Sequence, residues 1–142
     1  MKNKGFTLVE LLAVIAIIAV LSLVALPNII DSFNNSKKNN FVSEARQIYK
    51  AAKNQYVLDK PKGIDTYEHN SSLADAYTGN ELDVSSRNGF GYYVVFNSYG
   101  DIVYLYVKDE NYLIELGVNN AASVDKIQLS DIVLSKVENI SN

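Results

Sequence analysis

Met1-Lys2-Asn3-Lys4-Gly5-Phe6-Thr7-Leu8-Val9-Glu10 opens the chain, and residues 11–21 follow without a polar side chain. Ser22 interrupts once, Leu23-Val24-Ala25-Leu26 continues the apolar run, and Pro27 closes it. At about 1.5 Å rise per residue, a helix over 6–26 covers roughly 32 Å, enough for a hydrocarbon core of about 30 Å. Lys2 and Lys4 precede it, so the positive-inside tendency keeps the start cytoplasmic and places the remainder outside.

Plainer readings of this stretch are available. A secretory signal peptide would have a shorter apolar region closed by a small-residue cleavage site. Leu23-Val24-Ala25 matches such a site poorly, and the helical pattern continues beyond it. A buried core helix would be neither so long nor so uniform. A simple membrane anchor remains, but none of the three accounts for Glu10. A charged carboxylate inside a spanning helix costs about 2.5–3.5 kcal/mol, so it is a functional candidate by default.

Lys4-Gly5-Phe6-Thr7-Leu8-Val9-Glu10 resembles the type IV prepilin cleavage signal. The likeness joins a short basic leader, a glycine, a phenylalanine, a glutamate at fixed spacing and a spanning apolar run. It is strong over about the first sixty residues and architectural beyond them. It implies that a membrane aspartyl peptidase cuts between Gly5 and Phe6 and that the same enzyme methylates the new amine of Phe6. It also makes Glu10 the carboxylate that meets the amine of a neighbouring subunit and fixes axial register. Each charge is costly alone in an apolar bundle, and pairing offsets much of that cost. The implied fold is α+β, the type IV pilin fold. It has one long N-terminal α-helix, its apolar half protruding and its amphipathic half packed on a small antiparallel β-sheet. The expected division is a cleaved leader, 1–5, an assembly helix, 6–26, and a globular domain, 27–142.

Proline inside a helix removes a backbone hydrogen bond and bends or loosens the preceding turn. Pro27 is expected to kink the helix rather than end it, because periodicity resumes at Ile30, Phe33, Phe41, Ala45, Ile48, Ala52 and Tyr56. Lys38, Asn39, Glu44, Arg46, Lys50 and Lys53 form the opposite, solvated face. Pro61 and Gly63 predict an end near Asp59. Together the two halves make one helix of about 80 Å. Residues 60–89 read as a long polar connection, with a short helix possible over 72–77. Residues 91–97, 102–108 and 112–117 alternate with turn residues and predict an antiparallel meander. The first two strands are apolar on both faces, so one face rests on the helix and the other needs cover. The tail, 118–142, reads as a further short element docked on the sheet, with a helix over 130–137 as one form open to it.

Nothing in the pattern points to intrinsic catalysis. His69, the sole histidine, stands in a polar stretch without cysteines or a carboxylate cluster, so it reads as a solvated loop residue and not a metal ligand. Asp65, Glu68 and Asp75 lack calcium-loop spacing. No hydroxyl has an evident base partner and no phosphate loop is present. No cofactor, metal site or catalytic residue is therefore expected. The sheet region is rich in tyrosine, read mainly as core. Arg87 and Lys108 are the only basic residues between Gly63 and Lys126, so no direct nucleic-acid site is evident. Net charge is −3, and losing Lys2 and Lys4 leaves 11 basic against 16 acidic residues, a balance of −5. There is no cysteine. Many Gram-negative pilins close a C-terminal loop with a disulfide, so this departure points to a Gram-positive source and to packing alone as the tail's support.

The resemblance implies a pilus subunit that sits in the inner membrane as a precursor and then joins a surface fibre for adhesion, twitching motility or DNA uptake. Its implied partners are further copies of itself, the prepilin peptidase, and the assembly platform and ATPases. A pseudopilin of a secretion or competence system shares the same leader and helix. A membrane-anchored binding module that never polymerises is the third reading.

Overall fold

A computed structural model describes residues 5–62, 68–71, 79–84 and 90–140. The chain divides into two compact units, Met1–Lys37 and Lys38–Asn142. An α-helix, α1, runs Leu8–Asp59 and contributes to both.

In the first unit every described side chain except Ser22 is exposed. The helix runs through Pro27 without a break. Ile30 and Phe33, expected on the core-facing stripe, are 57% and 64% exposed. They prolong the apolar surface of the first unit instead, since the buried face of α1 begins only at Phe41.

In the second unit Phe41, Val42, Ala45, Ile48 and Ala52 are buried at steps of one, three, three and four residues, one stripe of a helix. They pack against a five-stranded antiparallel sheet of order β1-β2-β3-β4-β5. The strands are β1 (Glu68–Asn70), β2 (Gly91–Phe96), β3 (Ile102–Lys108), β4 (Tyr112–Gly117) and β5 (Glu138–Asn139). The three central strands lie where alternation and turn chemistry place them. Asn97 Oδ1 accepts the backbone N–H groups of Tyr99 and Asp101 at 3.0 Å, closing the first turn. Asp109 Oδ1 accepts those of Asn111 and Tyr112 at 2.7 Å, closing the second.

Strand periodicity sends Tyr92, Val94, Phe96, Leu105, Val107, Ile114 and Leu116 to the helix side. Tyr93, Val95, Val103 and Tyr104 form a second buried cluster, so both faces of β2 and β3 are covered. Pairing slips between Val95 and Phe96, which oppose Tyr104 and Ile102, leaving Val103 as the extra residue. That bulge lets the adjacent Val103 and Tyr104 join one cluster.

Two expectations need correction. The stretch read as a long polar connection contributes β1, a three-residue strand too short for a periodic signal and defined by its pairing with β2. The tail forms no α-helix. It makes two 3-10 turns, Leu129–Asp131 and Leu134–Lys136, and then β5. Val133 between them is extended at φ −132°, ψ 162°, and β-branched residues at 132, 133 and 137 favour that break. The short helix expected over 72–77 lies outside the described residues.

The tail is nevertheless fixed. Val118 N–H donates to Val103 O at 3.1 Å and Ile127 N–H to Ile102 O at 2.7 Å. From α1, Arg46 Nε donates to Ile132 O at 2.9 Å and the Tyr49 hydroxyl to Ile127 O at 3.0 Å. Ile132 is fully buried and Ile127 nearly so. Lys53 Nζ reaches Gly100 O at 2.8 Å and Asp101 Oδ1 at 3.4 Å on the β2–β3 turn. Arg46 and Lys53, expected on a solvated face, are thus tied to the body of the unit. A long helix beside a small antiparallel sheet is an α+β arrangement, and it matches the type IV pilin fold.

Candidate functional site

The N-terminal region is built around the start of α1. Gly5, Phe6 and Thr7 precede the helix, which begins at Leu8. Phe6 is 86% exposed. A Cβ added to Gly5 would meet no atom within 4 Å. Packing among the described residues therefore sets no requirement for glycine there.

Thr7 caps the helix. Its carbonyl accepts the Leu11 N–H at 3.2 Å and its hydroxyl oxygen accepts the Glu10 N–H at 3.3 Å. In return the Thr7 N–H and hydroxyl both donate to Glu10 Oε2, each at 2.9 Å. This is a reciprocal capping box, Thr at N-cap and Glu three residues on. It satisfies two donors that a helix start otherwise leaves open. The carboxylate also sits at the positive end of the helix dipole. Both bonds converge on Oε2. Sequence reasoning singles out Glu10 but passes over Thr7, although Thr-Leu-Val-Glu spells the box.

Beyond this end, 18 or more consecutive residues of α1 are long and apolar enough to cross a membrane, and none of that window is buried. Its few polar side chains bond back into the helix. Ser22 Oγ donates to Ile18 O at 2.8 Å, and Asn28 Nδ2 to Val24 O at 3.4 Å. Such internal satisfaction is what a lipid environment demands.

Residues 1–26 match the family described as the prokaryotic N-terminal methylation motif. The chain carries the N-terminus of a type IV pilin-like prepilin, with a class III leader. No curated protein and no solved structure matches the chain. The motif together with the apolar helix fits a membrane-anchored precursor.

The other residues considered for chemistry fall elsewhere. His69 is not solvated: it is 1% exposed, on β1, edge-on to Phe96 at 6.0 Å. Its Nδ1–H donates to the Asn80 carbonyl at 3.2 Å, which leaves Nε2 buried without a hydrogen-bond partner among the described residues. Burial pushes the imidazole pKa below its ordinary 6.5, against the smaller upward pulls of Asn80 and Asp59. Sequence reasoning missed this because a three-residue strand between polar neighbours carries no apolar pattern. Among the described residues no group of three or more His, Cys, Asp or Glu side chains could hold a metal ion. Tyr92, Tyr93, Tyr104 and Tyr112 are buried, whereas Tyr99 is 78% exposed on a turn.

Proposed function

We propose that this chain is the structural subunit of a type IV pilus, cut between Gly5 and Phe6 and polymerised through its N-terminal helix. The observation that carries the reading is the setting of the bond proposed to be cut. The Gly5–Phe6 bond stands in exposed, non-helical backbone directly ahead of a helix whose first turn holds Glu10.

The chemistry follows in order. Before processing, the Phe6 nitrogen is a neutral amide and offers Glu10 no charge. Hydrolysis by the prepilin peptidase breaks the Gly5–Phe6 amide and leaves a free amine on Phe6. An α-amine has a pKa near 8, about 7.7–8.0, so it is largely cationic at neutral pH. Methylation keeps that charge. The carboxylate of one subunit then meets the amine of the next inside an apolar bundle, where an unpaired charge is expensive and a pair much less so. Cleavage thus creates the electrostatic partner that assembly needs. Thr7 holds Glu10 through Oε2 and leaves Oε1 for the incoming amine. Pro27 is proposed as the point where the helix loosens on entering the fibre, since it withholds the N–H that Leu23 O would accept. The precursor waits in the inner membrane, and the assembly platform and ATPases drive extraction. Adhesion, twitching motility or DNA uptake would be functions of the finished fibre.

The test is the mass of the N-terminus in surface fibres sheared from the native host. A chain beginning at N-methylated Phe6 in the fibre fraction is the expected result. A chain beginning at Met1 and confined to the membrane would sink the reading. Processed chain absent from surface fibres would point to a pseudopilin.

A further inference from the structure

The two carboxylates nearest the apolar run are Glu10 and Asp31, and the twenty residues between them, 11–30, include no charge. Twenty residues of helix measure about 30 Å, the thickness of a hydrocarbon core. A register beginning at Phe6 would instead put Glu10 about 6 Å inside the hydrocarbon. Sliding the helix toward the cytoplasm by a turn brings Glu10 to the inner boundary and draws residues 27–30 into the outer leaflet. Those residues tolerate it, because Ile29 and Ile30 are apolar and exposed and the Asn28 amide is bonded to Val24 O.

One turn past Ile30, Phe33 is 64% exposed, and the Lys37 ammonium lies 5.4 Å from its ring centroid. Helix side chains lean toward the N-terminus, so Lys37 reaches back toward the membrane side. Asp31 lies about 200° around the helix from Phe33, at 100° per residue, so it leaves this face cationic. An aromatic ring with a lysine beside it at the end of a span is the chemistry of an interfacial anchor.

We propose that Phe33 and Lys37 form a contact for anionic phospholipid headgroups of the outer leaflet, setting the precursor's register with Glu10 and Ile30 at the two hydrocarbon boundaries. Phe33 enters the interface and Lys37 takes the lipid phosphate. The proposal rests on the reading of α1 as a membrane span.

The chain has no cysteine, so single substitutions such as Ala16→Cys, Val20→Cys, Ile30→Cys and Ser32→Cys can carry a spin label and leave Phe33 and Lys37 in place. The full uncleaved chain is placed in phosphatidylcholine vesicles with and without phosphatidylglycerol. Depth is read from the ratio of oxygen to nickel-chelate collisions. The expected profile is deepest at Val20, with position 32 at headgroup level, deeper when phosphatidylglycerol is present, and Lys37→Glu abolishes that lipid dependence. A maximum at Ala16 with position 32 in bulk water overturns the register. A depth at position 32 indifferent to phosphatidylglycerol overturns the phosphate contact. Protection at position 32 that vanishes on diluting the chain in lipid would show a second copy covering it, which also overturns the proposal. Failure of Ala16 and Val20 to reach lipid at all would remove the membrane span itself.

Discussion

The Thr7 backbone N–H and the Thr7 hydroxyl converge on a single oxygen of Glu10, each at 2.9 Å. The residue proposed to pair with a neighbouring amine is thereby also the residue that finishes the helix end. Thr7→Ala removes the hydroxyl from this box while leaving Glu10 in place. N-cap losses cost about 1 kcal/mol, or roughly fivefold in local opening. Amide exchange of residues 8–11 in detergent-solubilised chain should accelerate by about that factor, while exchange in β2 and β3 stays as it was. Unchanged exchange at 8–11 would mean the box contributes nothing to helix initiation.

His69 gives the second unit a dependence on pH. Its folded pKa lies below 6.5 because burial opposes the charged form, so the unfolded chain binds more protons as pH falls through 6.5. Stability should therefore be full at neutral pH and above, and fall as pH drops from about 6.5 toward the folded pKa. Urea midpoints at pH 7.5 and 5.5 should separate in the wild type and move closer together in His69→Gln. Equal separation in both chains would exonerate His69.

The links between α1 and the tail make a third case. Tyr49→Phe deletes only the hydroxyl that donates to Ile127 O and should cost about 1 kcal/mol. Arg46→Ala deletes a charged donor to Ile132 O and should cost more, about 1–2 kcal/mol after allowing for partial solvent screening. Exchange at the Ile127 amide, which donates to Ile102 O, is the sensitive local readout alongside urea unfolding. Loss of stability with no faster exchange there would place the effect elsewhere.

Glycines 100 and 117 both hold positive φ, at +82° and +79°. A Cβ on Gly100 would collide with the Tyr56 ring, itself stacked on Phe96 at 5.0 Å. A Cβ on Gly117 would collide with the Val103 carbonyl. A ring can tilt, whereas a backbone carbonyl in a sheet cannot retreat. Gly117→Ala should therefore destabilise more than Gly100→Ala, with each costing at least about 1 kcal/mol from backbone strain alone. Thermal unfolding of the two variants side by side decides the order.

What the sequence made legible was whatever repeats. The stripe from Phe41 to Ala52 and the paired hairpins have a period that their buried faces follow, and the apolar run shows by its unbroken length. What stayed hidden had neither. β1 exists because β2 offers an edge, and its three residues show no alternation. The tail alternates 3-10 turns with extended residues, so no helical or strand template fits it. Phe33 fits the helical stripe by spacing but is exposed, since spacing alone cannot say where a core stops. At the site, Glu10 stood out because its charge is costly where it lies. Thr7 is an ordinary residue until its bonds are seen.

The bonds from Arg46 to Ile132 and from Tyr49 to Ile127 join residues 86 and 78 positions apart. Contacts of such long separation form late. Until Ile127 and Ile132 have been synthesised, the apolar stripe of α1 lacks part of its partner, and the nascent chain carries that surface uncovered. The order of biosynthesis thus runs against the order of packing: the helix is made first and completed last. A quality-control factor that engages this protein would find its target in the Phe41-to-Ala52 face, during the interval before the tail arrives.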